Sequence, residues 1–306
     1  MSSPRSIPLL SIQFIPSDKR QHIKQGWLEA FHSHQHLPRN SPLRVVNEDC
    51  VERNNNGFAS HPHQNYEIFT YMLSGELSHY DSMGNAHRCR FGTVQFTSAG
   101  SGMFHSEMNK HPEWDCKLLQ IWVKPRTLNT PPRYQKIEFS NEKRLNQLCL
   151  MIVPKELISS IQQENDNFPN EEIIGMDQDF FALSSLLQFG HQVRHELRAC
   201  RRLFIHVPFW GNNEKFHSKE KLLQIIIKKE LNEYSEKEQE EPLIELGPGD
   251  SCLLTNENVA LFGKSLEIVF KTKELMDQAS RETTNAIDSF LEFVVFDMIV
   301  HSNSSH

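Results

Sequence analysis

Residues 66–107 read YEIFTYMLSGELSHYDSMGNAHRCRFGTVQFTSAGSGMFHSE, and this stretch decides the fold. EIFTYML and GTVQFTSA here, and KLLQIWVK at 117–124, mix β-branched and aromatic residues in runs of strand length. Ser74-Gly75, Gly84-Asn85 and the Gly100 to Gly102 segment mark the turns between such runs. Working outward, the same texture extends from about Pro42 to Tyr134, and short strands at this spacing predict an antiparallel barrel or sandwich. The next stretch, LNQLCLMIVPKELISSIQQENDNFPNEE at 145–172, shows no clear strand alternation and reads as a connection with a short helix at Lys155 to Gln163. Strand-like text resumes with FFALSSLL, RRLFIHVPFW, LLQIIIKK, DSCLLTNE, LEIVFKT and LEFVVFDM, so a second β domain follows. The division is 1–140, a connection at 141–177, and 178–306. Two polar insertions, NEYSEKEQEEPLIE at 232–245 and KELMDQASRETTNAIDS at 273–289, read as a solvated loop and a surface helix. Two β-rich halves of similar length suggest a weak, diverged duplication.

A length of 306 residues suits two domains, and 38% hydrophobic with 23% charged residues is enough to build packed cores. Lys and Arg number 32 against 39 Asp and Glu, and the resulting net charge of -7 opposes a broad grip on nucleic acid or an anionic membrane. The cysteines at 50, 89, 116, 149, 200 and 252 stand singly, with no C-x-x-C pair, and read as small buried hydrophobes in a reducing compartment. Pro8, Ser11, Gln13 and Pro16 interrupt the N-terminal apolar residues before a signal-peptide core forms. FLEFVVFDMIV at 290–300 is too short to span a bilayer and carries Glu292 and Asp297. The expectation is a soluble protein, cytoplasmic or nuclear or both, with no membrane partner and no direct nucleic-acid contact. Without a secretory route, the sequon at Asn303 carries no weight.

Of the 16 histidines, ten fall between His22 and His111. His61-Pro62-His63 is an H-x-H and His105-Ser106-Glu107 an H-x-E. A period of two places both side chains of each pair on one face of an extended segment, so two such segments side by side present His61, His63, His105 and Glu107 to one point. Gly57 before the first pair and Gly100-Ser101-Gly102 before the second let the chain turn to aim them. Nitrogen-rich sets of this kind suit iron, nickel, copper or zinc rather than calcium or magnesium. In an octahedral ion they leave neighbouring positions for water, dioxygen or a bidentate ligand. His79 reads as a structural histidine or a support of this site; Gln120 reaches the cavity if its strand face points in, and Trp122 shares that face. His32, His34 and His36 read as surface residues, and His191 and His195 as surface or core residues.

The blocks PLRVVNEDCV (42–51), GFASHPHQNYEIFTYMLSGELSHYDSMGN (57–85), GTVQFTSAGSGMFHSEMN (92–109), LLQIWVK (118–124) and PPRYQ (131–135) together resemble the pirin family of bicupin proteins. GWLEAFHSH at 26–34 adds to the likeness, and looser matches follow at Gln178-Asp179, at His206 to Pro208, at GDSCLLTNE and at LEFVVFDM, so the resemblance covers nearly the whole chain. It implies an all-β fold of two stacked cupin (double-stranded β-helix, jelly-roll) barrels with short helices, the C-terminal one without metal. It also implies a mononuclear metal, usually iron (Fe, with Ni, Cu, Zn or Mn as alternatives), on His61, His63, His105 and Glu107. Similar proteins open the central ring of a flavonol such as quercetin with dioxygen, a reading that makes Glu107 the catalytic base. The alternative the family offers is a metal- and redox-dependent transcription cofactor that binds a transcription-factor partner without catalysis. The sequence departs from the pattern in the short LPRNS segment between His36 and Pro42, in Gln64 where a basic residue is common, and in the long 273–290 insertion.

Overall fold

The computed structural model describes residues 10–164, 173–214, 220–228, 242–256, 265–273 and 290–300. Residues 232–241 of the first insertion, 274–289 of the second, and Asn303 lie outside these residues; the described end of the first insertion, Ile244 and Glu245, is strand rather than loop. The fold is all-β, two stacked cupin barrels with short helices such as Asn141–Arg144 and Ile158–Glu164.

Each barrel pairs a seven-stranded sheet with a four-stranded one. In the first half the large sheet runs Arg133–Glu138, Thr93–Ser98, Glu67–Ser74, Cys116–Val123, Leu43–Val51, Leu28–His32, Gln21–Gln25. Its small sheet runs Asn56–His63, Met103–Asn109, Glu76–Asp81, Ala86–Arg90. The large sheet of the second half runs Leu10–Ile15, Ser251–Asn256, Arg201–His206, Phe290–Ile299, Phe180–Gln188, Cys149–Pro154, Ile174–Met176. Its small sheet runs Gln192–Leu197, Leu266–Thr272, Leu223–Lys228, Ile244–Leu246. From Leu43–Val51 and from Phe180–Gln188 onward, the strands take the same places in the same chain order, which gives the suspected duplication a topological form. One place is exchanged: the edge position held by Arg133–Glu138 in the first sheet is filled in the second by Leu10–Ile15, paired antiparallel along Ser251–Asn256.

This pairing differs from a first domain running from residue 1 to 140, because Leu10–Ile15 joins the second sheet. The 141–177 stretch differs as well. Cys149–Pro154 pairs with Phe180–Gln188 and Ile174–Met176 with Cys149–Pro154, so the connection supplies two strands of its own. Met151, Ile152 and Val153 are all buried, and a strand covered on both faces carries no polar alternation to betray it.

The two large sheets pack face to face. Phe69, Tyr71, Phe96, Leu119 and Ile121 of the first meet Phe180, Phe204, Val294 and Phe296 of the second in one core, with Phe69 edge-on to Phe296 at 5.8 Å between ring centroids. The second barrel is filled by its own apolar cluster, including Leu197, Ile268, Phe270 and Phe293. The corresponding cluster of the first barrel is smaller, built on Val51, Met72, Leu77, Cys89, Cys116 and Leu118. Polar side chains therefore line the rest of the first barrel, and the site lies there.

Two buried charge networks join the halves. Arg20 donates to Glu48 at 2.9 Å, and Glu48 also receives His206 Nε2 at 3.2 Å and the backbone N–H groups of Phe209 and Trp210 at 2.6 and 3.1 Å. Burial works against the Glu48 charge, but the bond from His206 and the Arg20 guanidinium outweigh it and keep its pKa low; burial and Arg20 keep His206 neutral. In the second network Tyr71 donates to Glu292 at 2.6 Å, and Arg144 reaches Glu292 at 3.4 Å.

Candidate metal centre

Asn56–His63 and Met103–Asn109 are neighbours in the small sheet, with His105 directly opposite His61 and Met103 opposite His63. Residues directly opposite share a face, and so do residues two apart, so three imidazoles converge. Their ligand atoms lie within 4.8 Å of one another. Nε2 of His61 and Nε2 of His105 are 3.0 Å apart. Neighbouring nitrogens held about 2.1 Å from a common ion at a right angle stand about 3.0 Å apart, so the spacing fits a shared metal.

The protonation pattern fits as well. His61 Nδ1 donates to the Ala59 carbonyl at 2.8 Å, a backbone bond that leaves the lone pair on Nε2. Burial, then the neighbouring His105 and His61 rings, push His63 down to about 4, and burial lowers His105. Neutral rings with free lone pairs are what a divalent cation requires. Buried His105 Nδ1 has no hydrogen-bond partner among the described residues.

Glu107 sits deeper. Its pairing partner across the sheet is Phe58 because the register shifts by one residue after His105, and its carboxylate groups within 4.8 Å with His79 and His105 rather than with all three front histidines. The structure thus brings the four expected residues, with His79 as a fifth, into two triads that share His105. Oε1 of Glu107 accepts from Gln95 Nε2 at 2.6 Å and Thr70 Oγ1 at 3.3 Å, and Oε2 from Gln120 Nε2 at 3.0 Å. A carboxylate offers about four acceptor sites, so these donors leave room on Oε2.

Gln120 and Trp122 do face in. Trp122 stands edge-on to His63 at 4.9 Å between centroids, and its buried Nε1 has no partner among the described residues. His79 donates from Nε2 to Asp81 at 3.1 Å and stacks on Tyr134 at 4.7 Å. Asp81 also receives Met83 N, Asn85 N and Asn85 Nδ2, so the DSMGN turn is the clamp that holds His79 behind His105. These bonds outweigh burial and hold Asp81 below the usual carboxylate range.

Gln95 and Asp49 escape a search for metal-ligand spacing. Both are buried polar residues on strands: Gln95 lies between Val94 and Phe96, which face the other way, and that alternation is the signal that could have found it, whereas Asp49 shares its strand with Glu48 on the opposite face and has no such signal. Burial, then the Glu107 charge, pushes Asp49 up to about 7, and its Oδ1 lacks a partner among the described residues. His32 and His34 meet edge to face, 6.1 Å apart between ring centroids, and His36 lies beside the Lys19 carbonyl. His191 is exposed, whereas His195 is half-buried on Asp297 at 2.8 Å. Exposed Gln64 reaches Ser101 O and Asn129, and Ser41, ending the LPRNS segment, is buried against Met298 between the halves. None of the six cysteines, all of them among the described residues, is in a disulfide, and burial pushes Cys89 and Cys252 up to about 12. No helix among the described residues is long and apolar enough to cross a membrane.

Two barrels of one topology, with histidines gathered at one end of the first, define a bicupin with a candidate metal centre. The chain belongs to the pirin family. A family model described as Pirin matches residues 16–123. The quercetin 2,3-dioxygenase of Escherichia coli K12 is 31% identical over 198 residues, 62% of this chain and 78% of that protein. A pirin-like protein of Caulobacter vibrioides is 37% identical over 136 residues, 42% of this chain and only 58% of that one. The Escherichia coli bacterial pirin YhhW, solved in complex with nickel(II), shares the fold at a TM-score of 0.65 and 24% identity, covering 95% of this chain and 100% of that one.

Proposed function

We propose that the chain is a metal-dependent flavonol (quercetin) 2,3-dioxygenase of the pirin type, with His61, His63, His105 and Glu107 holding the ion, and iron first among Fe, Ni, Cu, Zn and Mn. The observation that carries this reading is the 3.0 Å approach of two Nε2 atoms beside a third imidazole, in front of a carboxylate fixed by two glutamines. The name of the Escherichia coli K12 relative supports the activity, and the nickel complex of the bacterial pirin supports metal binding.

A redox-active metal bound there supplies stabilisation for an oxyanion and a means of handling dioxygen. The chain's own residues do the rest. Glu107 takes the proton of the flavonol hydroxyl on its free Oε2 site, while Gln95 and Gln120 keep the carboxylate from turning away. Ala59 fixes the His61 tautomer, and the edge of Trp122 holds the His63 ring. The mostly apolar end behind Met72 and Leu118 closes the barrel to water from below.

The test is to purify the protein and its Glu107→Gln form, measure bound metal, and follow quercetin loss under oxygen. The parent carries about one ion per chain and consumes the flavonol. The variant keeps part of its metal and loses turnover by roughly a hundredfold or more, the scale of a lost general base. Bound metal without turnover of any flavonol moves the reading to a partner-binding regulator.

A further inference from the structure

We propose that the second barrel has a ligand site of its own, at the end that corresponds to the histidine cluster of the first, and that it takes a small uncharged aromatic molecule bearing a hydroxyl group.

The correspondence is one of register. In the first barrel Asn56–His63 ends at His63, opposite Met103, the first residue of its neighbour, and His61 faces the third, His105. In the second, Gln192–Leu197 ends at Leu197, opposite Leu266, the first residue of its neighbour, and His195 faces the third, Ile268. His195 therefore stands where His61 stands, while Leu197, Ile268 and Phe270 stand where His63, His105 and Glu107 do. The metal-binding character is gone, but one inward histidine is kept. It lines a cavity of about 520 Å³, within the range of small-molecule sites.

The walls state what fits. Leu150, Phe181 and Leu183 give the cavity an apolar side. On the polar side Arg201 donates to Asp297 at 2.5 Å and to Asp179 at 2.9 Å, and His195 Nε2 meets the other Asp297 oxygen at 2.8 Å. The remaining charges are matched as well, Glu156 with Arg126 at 2.6 Å and Glu196 with Arg198 at 3.7 Å. A carboxylate ligand would have to displace an acid already held by Arg201, and a cation would find both Asp297 oxygens occupied. An ionised carboxylate only accepts, so His195 donates from Nε2, and the neutral form of the ring then has Nδ1 as its acceptor. Nδ1 has no partner among the described residues. The complement is one O–H donor on a neutral ring.

The test uses three probes with one ring and three charges: phenol, benzoate and benzylammonium. Each is titrated at pH 7 into the full-length, metal-loaded protein with methyl-labelled leucines, and binding is read from the Leu150 and Leu157 methyl resonances. The expected result is saturable shifts with phenol and at least tenfold weaker binding of both charged probes. Leu183→Trp, which fills the cavity, and His195→Phe, which removes the acceptor, each weaken phenol at least tenfold and leave metal content and quercetin turnover unchanged. Phenol binding within twofold of the parent in both variants overturns the proposal, as does benzoate or benzylammonium binding as tightly as phenol. Because turnover is read separately, failure of the flavonol reading does not touch this result.

Discussion

At the scale of single residues, spacing singles out all four ligand candidates, the deeper Glu107 included, and leaves some of the polar residues around that carboxylate to the closed barrel. His61, His63 and His105 announce themselves because a two-residue period puts donors on one face. Gln95 and Asp49 look like ordinary polar residues in strands, and only the closed barrel shows that their face is interior. Asp49 makes this measurable. Its pKa is raised to about 7, so between about pH 4 and pH 7 the folded chain holds a proton that the unfolded chain releases. The folded state binds more protons there, hence stability falls as pH rises. The contribution is complete below about pH 4, is lost as pH passes about 7, and amounts to at most about 4 kcal/mol. In chelator-treated protein, Asp49→Asn flattens this slope, and chemical denaturation at pH 5 and pH 8 reads the difference. Identical slopes in parent and variant would remove Asp49 from the account.

At the scale of elements, strands that alternate were readable and strands buried on both sides were not, as Cys149–Pro154 shows. Nor does local text reveal that Leu10–Ile15 pairs more than two hundred residues away, since pairing across such a distance leaves no neighbouring pattern. One local signal does carry over into the site. Gly57 has a φ of +145° and lies so close to the next strand that an added Cβ would sit 2.3 Å from the Glu107 carbonyl oxygen and 2.7 Å from the Met108 Cα. Both obstacles are backbone, so the strand carrying Glu107 has to move. Gly57→Ala is expected to lose about 2 kcal/mol or more and to lower metal occupancy, measured by denaturation and by elemental analysis of the purified protein. Gly84→Ala is the contrast. Its φ is +90° but nothing lies within 4 Å of the added atom, so only backbone strain of about 1 kcal/mol is expected and the metal stays.

At the scale of the whole molecule, the large sheet of the first barrel serves two purposes, one on each face. Leu43–Val51 makes the division plain: Asp49 turns toward the barrel interior and Glu48, one residue away, turns toward the second half. Adjacent acids on one strand therefore answer to different tests. Glu48→Ala leaves Arg20 with a buried charge unmatched, and the backbone N–H groups of Phe209 and Trp210 without an acceptor. Removing one partner of such a network costs about 3 to 5 kcal/mol, so the variant should unfold at markedly lower denaturant. The histidine cluster lies beyond the other face of the sheet and touches none of these groups. Metal content in the folded variant is therefore expected to match that of the parent, with quercetin loss unchanged below the unfolding transition. A fall in metal content that tracks the loss of stability would show that the two faces are coupled, and the division of labour across this sheet would have to be abandoned.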